Sequence, residues 1–425
     1  MKKITFLVFN IVSLILISQE EEYYQSPFEL IDKVYKSEIK AVHLSQKDWQ
    51  HAPPYMELGS IESLRLSFDL MGDDVKDYTF TYIHCTPDWE ESDIVSHEYL
   101  NGFSEDNILN YDFSFNTIQK YIHYDLVFPT ENMKITKSGN YIIKVYENGD
   151  LDNVVLTKRF FVWIPMTDIT ADVHQATIIE DRYYKHEVDF NISYKGVDVT
   201  DPFNEFQVVI LQNERWDNAI RDLNPVFIRD NQLIYDYDRE NVFPAGNEYR
   251  HFDVRNLNYH SDRIDSIYFE NDTNKVTLFS DPKRSFLKYS SISDINGKVM
   301  YGLENHQAFN TDADYAEIQF NLPFDNVLDN GSIYVFGQFT QWDYIPEAKM
   351  IYNYKLHRYE TSMYLKQGYY NYEYIFVEGD NETGDNTYIE GSHYQTNNSY
   401  KILVYHKGIS DMYHKLIGVK TVSNI

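Results

Sequence analysis

Apolar residues along the chain recur most often at every second position, the period of a half-buried strand, and rarely at helical spacing. The segment GYYNYEYIF (368–376) shows the period most clearly. Tyr370, Tyr372, Tyr374 and Phe376 fall on one face, and Tyr369, Asn371, Glu373 and Ile375 on the other. A face this regularly aromatic predicts packing against an opposing sheet rather than a binding groove.

Similar runs are LRLSFDL (64–70), DYTFTYIHC (77–85), YDFSFN (111–116) and IHYDLVF (122–128). The stretch 141–163 predicts a hairpin about Asn148-Gly149-Asp150, because Asn-Gly suits the left-handed backbone of a tight turn. Pro165 punctuates its end, and 92–103 predicts an irregular or short helical excursion.

Further strands are predicted at HEVDFNISY (186–194), EFQVVILQN (205–213) and KVTLFS (275–280). Later ones are YAEIQFNL (315–322), SIYVFG (332–337), RYETSMYL (358–365) and YKILVYH (400–406). The expected fold is all-β: tandem immunoglobulin-like or early-set β-sandwich domains with few short helices. The expected division is a first β-sandwich at 24–165, a second β-rich domain at 166–290 and a C-terminal early-set-like sandwich at 291–425.

Composition supports this picture. With 38 tyrosines and 26 phenylalanines, the chain is rich in residues that fit pleated surfaces. A net charge of −29 disfavours nucleic acid and anionic membrane surfaces, which both select cationic proteins. The first residues, MKKITFLVFNIVSLILIS, set two lysines before an apolar run, the layout of a signal peptide over 1–18. An uncleaved anchor is the alternative, since Leu16 loosens the cleavage pattern; after cleavage no membrane span is expected. Cys85 is the single cysteine and ends a strand pattern, which predicts a buried, inert thiol.

Chemistry is sparse. No GxSxG, HExxH, Walker A, CxxC or GxGxxG string occurs, so neither catalytic residues nor a cofactor is expected. The acidic stretches 235–242 and 379–386 lack the spacing of a calcium loop and are expected to be solvated turns, so no metal is expected. His84 and His123 sit in strand patterns, where a hydrogen-bonded core or surface role is expected.

Two resemblances follow from particular strings. FGQFTQW (336–342) with KQGYYNYEYIFV (366–377) resembles the early-set sandwiches used as glycogen- or starch-binding modules. That resemblance makes Trp342 and Tyr344 candidates for stacking on a sugar; the alternative is that Trp342 plugs its own core.

The second resemblance spans nearly the whole chain, from about 24 to about 419. DYTFTYIHCTPDW, YIHYDLVFP, SGNYIIKVYENGD, VVILQNERWDNAI, QLIYDYDRENVFPAGNEYRHFDVR, GQFTQW and IEGSHYQTNNSY, in that order, resemble the plug protein family of the Bacteroidetes type IX secretion system. It implies a non-enzymatic periplasmic protein, peripheral to the inner face of the outer membrane. Such a protein binds and occludes the periplasmic end of an outer-membrane β-barrel translocon until cargo arrives, as a monomer within a hetero-complex. Trp216, Phe243, Arg250 and Arg255, set among turn residues, are candidate partner contacts; the alternative is that they pack a long loop onto the second domain. A secreted or periplasmic carbohydrate-binding sandwich is the competing function.

Overall fold

The structure is a computed structural model that describes residues 28–304, 311–379, 381 and 383–424. The signal segment at 1–18 lies outside them. Strands dominate, and the α-helices among the described residues are single turns: Ser96–Tyr99, Pro202–Glu205 and Thr387–Glu390.

Three sandwiches form, each because alternating residues of two sheets close over a core. In the first, strands Ile39–Gln46, Leu64–Met71, Tyr121–Phe128 and Asn110–Phe113 make one sheet in that order. The opposing sheet holds Lys33–Val34, Val154–Trp163, Gly139–Glu147, Tyr78–Cys85 and Glu105–Asn107. Leu64, Leu66, Phe68 and Leu70 point inward onto Phe80, Tyr82, Tyr141 and Phe160. The expected hairpin forms, with Asn148 and Gly149 at φ 57° and 70°.

The second sandwich opposes Asp168–Gln175, Lys185–Ser193, Gln232–Tyr235 and Phe227–Arg229 to a sheet of Phe206–Gln212, Ser399–His406 and Lys415–Ser423. The third sets Ile264–Glu270, Thr273–Leu278, Tyr315–Pro323, Arg358–Lys366 and Ile351–Asn353 against a sheet centred on Gly368–Glu378. That central strand is flanked by Arg250–Asp253, Val299–Tyr301 and Gly331–Phe336. Tyr370, Tyr372 and Tyr374 are fully buried in the third core with Phe252 and Phe320, and Phe376 is partly buried against it.

Pairing corrects the expected division at 290. Strands from 250 to 278 belong to the third sandwich, and 399–423 return to complete the second. Local periodicity marks a strand but carries no information about a partner some two hundred residues away. The third sandwich is thus an insertion within the second.

Several strands bury both faces. Gly139–Tyr146 is buried throughout, as are Val208–Gln212 and Tyr400–His406. Their outer faces meet: Val209, Leu211, Leu403, Tyr405 and Leu416 of the second sandwich pack on Cys85, Trp89, Ile142 and Phe161 of the first. Burial pushes the Cys85 thiol up to about 12, which leaves it un-ionised and inert at neutral pH.

A chain truncated before Ser399 is expected to lose the second core, since Tyr400, Ile402, Val404 and Ile417 leave with it. Limited proteolysis should then cut within 186–244 while the first sandwich stays resistant; continued resistance of 186–244 would contradict the strand exchange.

Candidate functional site

The first and third sandwiches meet at a buried charge cluster. Asp69 and His123 are cross-strand partners on the outer face of the first sandwich, and their side chains meet at 2.6 Å. Lys366 Nζ and Tyr315 Oη, both from the third sandwich, donate to Asp69 Oδ2 at 2.6 Å each. Asp69 is fully buried, and Lys366 nearly so, with its ammonium 4.3 Å from the Tyr121 ring centroid. Burial opposes the charge on Asp69, but Lys366 and His123 overcome it and hold the carboxyl below its ordinary range. Beside it, the Asp314 carboxylate accepts the backbone N–H groups of Ile118 and Gln119 at 2.7 and 3.1 Å.

Of two buried arginines, Arg215 joins the second sandwich to the third, and Arg250 lies within the third. Arg215 makes a two-pronged pair with Asp217 and donates to Glu373 Oε1 at 2.8 Å. Its guanidinium lies over the rings of Phe336 and Trp342. Arg250 donates to Glu390 and Asp281, and the hydroxyls of Tyr372 and Tyr374 both reach Asp281 Oδ2 at 2.7 Å. The polar tips of the tyrosine face thus end on the carboxylate that holds Arg250. Between the first and second sandwiches, Arg159 lies over Trp89 and Trp216, whose rings meet edge to face at 5.1 Å.

The structure places the candidate contacts inward. Trp216 sits in the seam between the first and second sandwiches, and Phe243 is buried in the second core against Tyr400. Arg250 is buried in the ion cluster, and Arg255 folds onto Asp253 and the Tyr369 ring. These four do not gather on a surface. Of the four, only Trp216 lies between two sandwiches.

Trp342 is half-buried between Phe336, Tyr249 and Gly297. A Cβ on Gly297 (φ +75°) would stand 2.3 Å from the Trp342 ring, so only glycine fits there. Tyr344 packs on Phe336, and its hydroxyl accepts the Gly384 N–H at 2.8 Å. Tyr344 also reaches a cleft of about 700 Å³ between the first and third sandwiches, which Lys40, Tyr364 and Tyr370 help to line.

Histidines fill structural roles. His43 Nε2 meets the Gln50 carbonyl, and the His84 ring bridges Ser92 Oγ and the Ser138 carbonyl. Among the described residues, His174, Glu187 and Asp189 form one cluster with metal-ligand atoms close together. Its members already have partners: His174 Nε2 meets Asp189 at 2.9 Å, and Glu187 accepts both the N–H and the hydroxyl of Thr177. The cluster therefore ties down a turn without needing an ion.

Asp69 and Lys366 were not singled out from the sequence. Asp69 falls on the polar phase of an alternating strand and so reads as solvent-facing, although a second sheet covers it.

Two outcomes test the seams. Lys366→Met should destabilise the protein by roughly 3–5 kcal/mol by taking the ammonium partner from buried Asp69, which keeps only His123 and the Tyr315 hydroxyl. Asp69→Asn combined with Lys366→Met should recover much of the loss in urea denaturation. Burial also lowers His43 and His84 to about 4 from the usual 6.5. The unfolded chain binds those protons first, so this stability is complete above pH 6.5 and is lost as pH falls towards 4, by at most roughly 3 kcal/mol per histidine. Urea midpoints from pH 7.5 to 4.5 should show the decline, and His84→Gln should flatten it.

Residues 39–164, which coincide with most of the first sandwich, match the family model described as the type 9 secretion system plug protein 1st domain. The whole fold is similar to the crystal structure, at 2.30 Å resolution, of a hypothetical protein from Parabacteroides merdae ATCC 43184. The two are 34% identical with a TM-score of 0.90, over 93% of this chain and 100% of that one. No curated protein matches the chain. The chain belongs to the plug protein family of the type IX secretion system.

Proposed function

We propose that this protein is a non-enzymatic plug subunit that binds and occludes the periplasmic end of the outer-membrane type IX translocon until cargo arrives. Family membership supports a role in type IX secretion. The observation that carries the occluding role is the locking of the third sandwich to the other two by buried ion pairs and of the first to the second by shared apolar faces. A wide aqueous barrel leaks small solutes unless its opening is covered. A cover must not flex open, and the paired charges buried where the third sandwich meets the first and the second resist such flexing, because separation would strand them. Displacement by cargo calls for a contact of modest area with a polar rim, which suits a monomer within a hetero-complex. The proposed location is the periplasm, against the inner face of the outer membrane. No helix among the described residues is long and apolar enough to cross a membrane, which accords with a peripheral position.

The cleft at Tyr344 favours a second reading, capture of a saccharide, since aromatic walls suit sugar faces.

Deletion of the gene in a strain that retains the translocon should admit normally excluded solutes, and the tagged protein should co-purify with an outer-membrane barrel. Unchanged permeability would refute the occluding role. Glycan-array binding lost on Tyr344→Ala would favour the saccharide reading, and silence across α- and β-glucans would end it.

A further inference from the structure

Among the described residues, one strand of the first sandwich leaves its apolar face exposed. Asn110–Phe113 is the last strand of its sheet, paired with Tyr121–Phe128 on one side. Among the described residues no strand pairs with its other side. Leu109, Tyr111, Phe113 and Phe115 alternate along it and are 78%, 42%, 54% and 64% exposed. The Tyr111 ring lies 5.7 Å from that of Tyr124, a core residue, so the apolar positions lie on the core face of the sheet. Asn110, Asp112 and Ser114 occupy the polar face. A strand with this alternation normally has its apolar side covered.

The backbone is equally specific. Ser114 N–H donates to the Tyr121 carbonyl at 2.9 Å, in register with the pairing of Phe113 and Ile122. By the two-residue alternation of an antiparallel ladder, Asp112 and Asn110 also direct their main-chain groups to that neighbour. Tyr111 and Phe113 therefore aim their N–H and C=O groups at the open edge. The next residue of that phase already uses the edge: Phe115 N–H donates to the Thr311 carbonyl of the third sandwich at 3.1 Å.

Charge narrows the occupant. Residues 101–119 carry Glu105, Asp106 and Asp112 and no lysine or arginine. Lys120, just beyond, is paired with Asp73 at 3.2 Å. A second copy is disfavoured, because edge-to-edge pairing would bring two chains of net charge −29 together through an acidic strand. We propose that Asn110–Phe113 docks an extended segment of another protein, apolar at alternate positions with lysine or arginine between them, by strand addition. The inference does not depend on the plug reading.

The test uses the full chain and a labelled peptide alternating lysine with valine or phenylalanine, long enough to span Leu109 to Phe113 and ending short of Thr311. The same apolar residues alternated with glutamate serve as control. The lysine peptide should bind, and should slow amide exchange at Tyr111 and Phe113 without adding protection at Asp112 or Ser114. Phe113→Pro removes an open-edge N–H and no ladder bond, and should weaken binding about tenfold. Asp112→Lys, a surface change, should weaken it as well and provides the second variant should the proline disturb folding. No binding of the lysine peptide, equal binding of the glutamate peptide, or binding without protection at Tyr111 and Phe113 would overturn the proposal.

Discussion

The structure depends on sheets that are covered on both sides. In an isolated sandwich the outer faces are wet, and only the inner faces form the core. Here the outer face of the second sandwich packs on that of the first, and the third presses its own strands against both. Charges that a lone sandwich would leave in water are thereby carried into the seams. Asp69 and Arg215 are both buried there, and each has an opposite charge within hydrogen-bonding distance.

That arrangement fixes geometry more than it adds net stability. A buried pair recovers only part of its desolvation cost, but a mismatched docking would leave each charge with no partner at all. The seams therefore favour one mutual arrangement of the three bodies. Two tyrosines of the third core extend the same logic inward, because Tyr372 and Tyr374 end on Asp281, which also holds Arg250.

Much of the fold was legible in the sequence. The alternation in 368–376 predicted an inward aromatic face, and the Asn-Gly turn placed the hairpin correctly. Gly139–Tyr146 and Tyr400–His406, by contrast, are buried at every position although Asn140, Lys144 and Lys401 interrupt their apolar residues, so their two covered faces were not legible. The strand Ile39–Gln46 escaped because its register shifts between Lys40 and His43, where Ala41 takes a positive φ and the period breaks. The candidate contacts Phe243 and Arg250 are buried, and nothing local in the sequence distinguishes that from a surface. Aromatic and arginine side chains look alike in sequence whether the covering surface is another protein or another part of the same chain. Asp69 was invisible for the same reason: what makes it special is a lysine nearly three hundred residues away.

The return of the last strands to the second sandwich also sets an order of assembly. Protein synthesis proceeds from the amino terminus, and domains form as their segments emerge. The first and third bodies each hold all their strands before Ser399 is made, but the middle one waits with an open face until the final segment arrives. Closure of that middle layer is then the last step, and it joins the tail of the chain to the outer faces of strands laid down far earlier. Any event that holds back residues 399–423 leaves the first and third bodies finished and joined through Asp69 and Lys366, with the middle one still open.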